Sequence, residues 1–266
     1  MQNPEIINAW IYGIALVGGA VLFSMLGLLL VRKRISRGTL KSHHEVAGYL
    51  LSIVGTLYSV LLGLIVVDTQ TKYQQAKMMS RQEADCCLDM FHLAYAFPPQ
   101  PRKALHQEIH AYLKTLVEEE WDSIATQSSF KETGATPFRN IWWTLCDYQP
   151  VTSREQISYD KYLDYMQRLA DGRRYRLQVS KNGMSHVLWG VLLGGGVLTV
   201  LFTYMFEVEE VKSHMIMTAL VSLALSLNVL LVALFSNPYQ GYMRITSIPF
   251  KYDLRVIDDL VKLRPD

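Results

Sequence analysis

The sequence predicts an all-α, four-span transmembrane protein with a helical extramembrane domain between the second and third spans. Three observations carry this reading. Residues 9–31, 46–67, 187–206 and 216–235 contain no Asp, Glu, Lys, Arg or His, and each has the roughly 20 residues an α-helix needs to cross about 30 Å of hydrocarbon. Half of the residues are hydrophobic although 19% are charged, so charge is segregated from the apolar runs. No stretch alternates with the period of two that a half-buried strand requires. The domain boundaries follow: 1–67 is a first transmembrane pair, 68–186 the helical extramembrane domain, 187–235 a second pair and 236–266 a C-terminal tail.

The first apolar run is too long for a signal-peptide core and is followed by its basic cluster, so it is expected to stay as a helix. Arg32, Lys33, Arg34, Arg37 and Lys41 then form a basic loop. By the positive-inside rule this loop is cytoplasmic. Lys72, Lys77 and Arg81 after the second span, and Arg173, Arg174, Arg176 and Lys181 before the third, make the other face basic too. Charge alone leaves the side of the 68–186 domain open.

Beyond the second span, Tyr73, Ala76, Ser80, Ala84, Cys87, Phe91 and Ala94 recur at three- and four-residue intervals. That spacing predicts one helix continuing out of the bilayer to about Tyr95. Pro98, Pro99 and Pro101 end it. A second helix places Leu105, Ile109, Tyr112, Leu113, Leu116, Val117 and Trp121 on its apolar side, and 123–136 reads as a loop. Pro137 opens a short helix with Ile141, Trp142, Trp143 and Leu145. Ser153 and Gln156 have capping-box spacing and open a helix bearing Ile157, Leu163, Met166, Leu169 and Ala170. The helix leads through Gly172 to the third span. The turn at 207–215 carries Glu207, Glu209 and Glu210 on the membrane face of the first basic loop, and ion pairs between the two are expected.

In the second span, Ser52, Thr56, Ser59 and Gly63 fall on one narrow helical face. A small, weakly polar stripe serves either close helix packing or the lining of a hydrated pore. Thr218, Ser222 and Ser226 give the fourth span a similar stripe. Gly13, Gly18, Gly19, Gly27, Gly194, Gly195 and Gly196 read as close-approach positions. Without an ionisable residue in any span, a proton relay through the bilayer is disfavoured.

Other chemistry finds little support. A net charge of +2 argues against nucleic acid, which calls for a basic domain or stripe. Cys86, Cys87 and Cys146 lack metal-ligand spacing and read as reduced thiols. His106 and His110 share a helical face, but Glu108 is one place late for the zincin pattern, so both read as surface histidines. Glu118, Glu119 and Glu120 read as a solvated face. No nucleophile or phosphate loop points to an enzyme, and no metal or cofactor is expected. Arg173, Arg174, Arg176 and Lys181 fit contact with lipid headgroups or a basic vestibule that concentrates anions.

Several of these residues carry a resemblance to the uncharacterised bestrophin-like family of multi-pass membrane proteins, found widely in bacteria and also in plants. Gly48-Tyr49, Gly55-Thr56-Leu57-Tyr58 and Leu62-Gly63 resemble its second-span signature. Tyr73, Glu83-Ala84, Tyr112, Glu120-Trp121 and Leu188-Trp189 resemble its later landmarks, so the similarity covers nearly the whole chain. After the fourth span, Asn237, Pro238, Tyr239 and Gly241 resemble the Asn-Pro-Phe-Gly segment of true bestrophins. There, acidic residues that help bind Ca²⁺ follow, whereas this chain continues Tyr242-Met243-Arg244. The bulky apolar pore neck of bestrophins is not matched by the small stripe here.

The resemblance implies a homo-oligomer, a pentamer if the likeness holds in full, around one axial pore for small inorganic ions. The second span would line it, with the polar domain in the cytoplasm. The leading expectation is a homo-oligomeric, anion-conducting channel in the inner cell membrane, with the lipid bilayer and further copies as partners. The alternative is a non-conducting membrane scaffold or signalling subunit that binds a protein through its helical domain. A stator-type motor subunit shares the layout but needs a partner span with a carboxylate.

Overall fold

The computed structural model describes residues 4–34, 37–126, 132–206 and 208–264, with side chains for 10–34 and from 48 onward. The described segments form helices α1 (Pro4–Arg34), α2 (Arg37–Ala94), α3 (Pro99–Thr115), a π-helical turn (Leu116–Glu120), α4 (Trp121–Thr126), α5 (Ala135–Asp147), α6 (Ser153–Lys181), α7 (His186–Tyr204), α8 (Val211–Phe235) and α9 (Ile248–Leu263). No strand occurs among the described residues. Four of these helices are long and apolar enough to cross a membrane: α1, α2, α7 and α8.

The chain divides into two compact units, Met1–Tyr73 with Gly183–Asn237, and Gln74–Asn182 with Pro238–Asp266. In the first, large apolar side chains such as Phe23, Leu57, Leu64 and Val197 lie exposed, as suits helices solvated by lipid tails. Its core gathers Tyr58, Leu62 and Ile65 of α2, Leu192 of α7 and Val232 of α8. Small residues let these helices approach. A Cβ on Gly195 would run into the ring of Tyr58, and one on Gly27 would meet the Tyr204 hydroxyl at 2.7 Å. Both tyrosines use that proximity to donate to backbone, Tyr58 to Leu192 O and Tyr204 to Ser24 O, each at 2.6 Å. Gly13 and Gly196 are also close-approach positions, whereas a Cβ on Gly18, Gly19 or Gly194 would meet nothing.

The second unit buries the predicted α2 stripe from Ala76 to Ala94 against α3 residues Leu105, Ile109, Tyr112 and Leu113. It also uses the segment expected to be a tail: α9 buries Phe250, Asp253 and Ile257. The apolar period Phe250, Leu254, Ile257, Val261 was present in the sequence, preceded by a Pro249 suited to a first helical turn.

Several local expectations need correction. The basic stretch after α1 is not an extended loop, because α2 already begins at Arg37; the side chains of Arg37 and Lys41 lie outside the described residues. Residues 123–126 are helical, and α5 starts two residues before Pro137. The cap of α6 is Thr152, whose hydroxyl accepts from Glu155 N at 3.2 Å, one residue ahead of the expected Ser153. Glu155 in turn accepts from Val151 N and the Tyr148 hydroxyl, and these bonds hold its carboxyl below the usual range. Ile157, expected in the core, is exposed. Between α1 and the turn before α8, Arg32 donates to Val208 O at 2.7 Å and meets His214 Nδ1 at 3.4 Å, so a carbonyl and an imidazole take the place of the expected carboxylates. Glu207 lies outside the described residues.

Candidate functional site

Two similar serine and threonine stripes have opposite fates. On α8, Thr218, Ser222 and Ser226 are buried, and Ser222 donates across to Ala20 O of α1 at 3.3 Å. That stripe is a packing seam. On α2, Ser52, Thr56, Ser59 and Gly63 are all exposed, because the core-facing side of the helix belongs to Tyr58, Leu62 and Ile65. Ser52 donates to Gly48 O at 3.0 Å, Thr56 to Ser52 O at 2.6 Å and Ser59 to Thr56 O at 2.9 Å. A Cβ on Gly63 would meet nothing within 4 Å. Each hydroxyl hydrogen is therefore satisfied within α2, and the oxygen lone pairs are left facing outward. A lipid-exposed face gains nothing from such groups, whereas a hydrated or helix-contacting face uses them.

The second unit holds the strongest electrostatic feature, and the sequence did not announce it. Arg176, fully buried, grips Glu83 with two prongs, Nε to Oε2 at 2.9 Å and Nη2 to Oε1 at 3.0 Å, and donates Nη1 to Glu120 Oε1 at 2.7 Å. Arg173 Nη1 reaches the same Glu120 oxygen at 3.3 Å, Gly134 N donates to its other oxygen at 2.9 Å, and the Tyr112 hydroxyl donates to Glu83. Arg176 lies over Trp121 at 5.6 Å, and Arg173 over Tyr112 and Phe138 at 5.7 and 5.6 Å.

Burial works against both guanidinium charges, but Tyr112 and Glu120 beside Arg173, and Glu83, Tyr112 and Glu120 beside Arg176, outweigh it and hold each arginine above its ordinary value. Burial, reinforced by Glu83, pushes the Tyr112 phenol well up. The two glutamates and two arginines sum to zero charge. Gly172 makes the approach possible: a Cβ there would meet Glu83 Cβ at 2.9 Å.

This corrects two sequence expectations. Arg173 and Arg176 are 5% and 0% exposed, so neither is a surface cation for lipid or anions. Arg174 and Lys181 are exposed, beside Asp171 and Glu132 respectively. Glu118 and Glu119 do form an exposed face, but Glu120 is buried, turned inward on the π-helical segment. A signal existed for these residues: Glu83 continues the α2 stripe, and Arg173 and Arg176 continue the spacing of Tyr162, Met166 and Leu169.

Pro238 and Tyr239 are buried in the second unit, where the Tyr239 hydroxyl pairs with Ser80 Oγ at 2.8 Å and its ring meets Trp121 edge-on at 5.9 Å. Gly241 adopts φ +80°, a conformation that turns the chain after α8 and that L side chains resist. Asn237 ends the first unit. His106 is not a surface histidine; it is buried, stacked on Phe91 at 3.9 Å. His110 faces Asp258 at 2.8 Å. No group of three metal-ligating side chains occurs among the described residues.

Fold and site together define a multi-pass helical membrane protein, with four candidate spans and a separate helical unit organised on a buried, neutral charge cluster. The chain belongs to the bestrophin-like family: the model of the Bestrophin-like domain matches residues 18–250. Solved structures share the fold. A crystal structure of a bacterial bestrophin homologue from Klebsiella pneumoniae, a single-residue mutant, has a TM-score of 0.65 at 11% identity, covering 94% of this chain and 99% of that one. A second mutant of that homologue has a TM-score of 0.64 at 12% identity, covering 91% and 99%. A crystal structure of a membrane protein, again a single-residue mutant, gives 0.67 at 11% identity, covering 94% and 100%. Comparison with curated protein sequences gives no match. The landmarks Glu83, Tyr112, Glu120 and Trp121 that carried the resemblance converge on the one buried cluster.

Proposed function

We propose that the protein is the subunit of a homo-oligomeric, bestrophin-like ion channel of the inner cell membrane, in which several copies turn the Ser52, Thr56, Ser59 and Gly63 face of α2 toward a common axis. One observation carries the reading: this face is weakly polar and has no packing partner within its own unit, while the matching stripe on α8 is fully used. The pore it would line passes small inorganic ions, and the family likeness suggests five copies.

Anion preference would draw on fewer exposed cations than the sequence suggested. The arginines that would attract anions are neutralised by Glu83 and Glu120, leaving Arg174 and Lys181. The α2 hydroxyls present lone pairs, which solvate cations or water. No carboxylate lies on the stripe, so no fixed charge there opposes anions.

Purified protein reconstituted in planar bilayers tests the proposal. Conductance is expected, with the reversal potential in asymmetric KCl giving the sign of the permeant ion. A monomeric mass combined with silence in every salt and pH defeats it. The scaffold reading uses the same exposed face as a seam between copies, and predicts that Ser59→Leu disrupts assembly.

A further inference from the structure

Helices α1, α7 and α8 of the first unit frame a half-open cavity of about 680 Å³. Along α1 its wall runs from Tyr12 to Val31, roughly 28 Å at 1.5 Å per residue, close to the depth of a hydrocarbon core of about 30 Å. Spread over that length, this volume, the space open to the centre of a water-sized sphere, gives a slot roughly 8 Å from wall to wall. A helix with its side chains is about 10–12 Å wide, so a span from a second copy does not fit. A methylene chain does, since carbon atoms pack at about 4 Å.

The wall chemistry agrees. Ser24, Ser222 and Ser226 border the slot, but their hydroxyls donate to Val21 O, Ala20 O and Leu223 O, leaving no hydroxyl hydrogen free for a polar ligand. Directly past Val31 come Arg32, Lys33 and Arg34. Arg32 is half-buried and meets a carbonyl and an imidazole, neither of which cancels its charge; Lys33 and Arg34 are exposed. An apolar slot of bilayer depth ending at three cations matches a phospholipid with an acyl chain inside and an anionic headgroup outside.

We propose that this slot between the first, third and fourth spans is a binding site for one anionic phospholipid per chain. The proposal does not depend on ion conduction. The experiment is native mass spectrometry of the whole protein, reconstituted with equal amounts of palmitoyl-oleoyl phosphatidylglycerol and the matching phosphatidylcholine, then released from mild detergent. One retained phosphatidylglycerol per chain is expected, favoured about tenfold over phosphatidylcholine, a difference of about 1.4 kcal/mol.

Val197→Trp, which adds bulk to an exposed wall position, should lower retention about tenfold while the thermal transition stays in place. Ala20→Phe serves if that variant fails to fold. Lys33→Gln with Arg34→Gln should keep a lipid but erase the headgroup preference. Wild-type protein that retains no lipid, slot-filling variants that retain as much as wild type, or a loss of association between copies with lipid retention unchanged would each overturn the site.

Discussion

Glu83→Gln tests whether the buried charges of the second unit act as one neutral set. The substitution keeps the shape of the side chain and removes one negative charge, leaving Arg173 and Arg176 with Glu120 alone. Arg176 loses the charge-assisted, two-pronged grip that its Nε and Nη2 make on Glu83, and it is 0% exposed, so water cannot take over. Breaking one side of a buried ion pair costs about 3–5 kcal/mol, because the survivor stays charged and uncompensated. At about 2–4 °C per kcal/mol for a large domain, the thermal midpoint should fall by roughly 6–20 °C. Tryptophan fluorescence in detergent reports it directly, since Trp121 lies under Arg176.

The decisive comparison is Glu83→Gln with Arg176→Met, which leaves Arg173 paired with Glu120 and returns the set to neutrality. Neighbouring residues couple, and this coupling has a sign: the double variant should be more stable than Glu83→Gln alone. A double variant as unstable as the sum of its two parents would refute the reasoning, because the charges would then be acting independently.

Three further outcomes follow from the geometry. Asp253 on α9 is 4% exposed, and one carboxyl oxygen has no hydrogen-bond partner; burial first, and Asp85 next, push its carboxyl up to about 6. A carboxyl raised in the folded state is stabilising while protonated and becomes a liability as pH rises through about 4 to 6, so Asp253→Asn should raise stability by about 1–3 kcal/mol above pH 6. Urea titrations at two pH values check it, and the gain should vanish below pH 4. Gly195→Ala should drive Tyr58 from its place and cost roughly 1–3 kcal/mol by overpacking, and pairing it with Tyr58→Ala should recover part of the loss in a thermal assay. Ser59→Leu should reduce single-channel conductance with oligomeric mass unchanged; unaltered conductance would count against α2 as the lining.

The spans were legible because lipid imposes composition: a helix crossing hydrocarbon must exclude charge over about 20 residues, and no other fold writes that pattern. The long α2 was legible for a related reason, since its apolar stripe runs unbroken past the last membrane residue. The charge cluster was not. The spacing sets Arg173 and Arg176, unlike Arg174, on the buried face of α6, but Arg176 reaches Glu83 over 93 residues and Glu120 over 56, and nothing local names those partners. The stripes on α2 and α8 are alike in being small, weakly polar and confined to one helical face. Only the arrangement of neighbouring helices makes one a seam and leaves the other open.

The π-helical turn at Leu116–Glu120 takes up one residue more than an ordinary α-helical turn holds. It widens one turn so that Glu120 meets Arg173 and Arg176 while Trp121 and Ile124 still face inward. Winding the same residues as ordinary α-helix would rotate everything downstream by about 100°, carrying Trp121 away from Tyr239 and Phe250. The wider turn thus lets one helix present two inward faces, the Glu120 carboxylate to the arginines and the Trp121 ring to Tyr239 and Phe250.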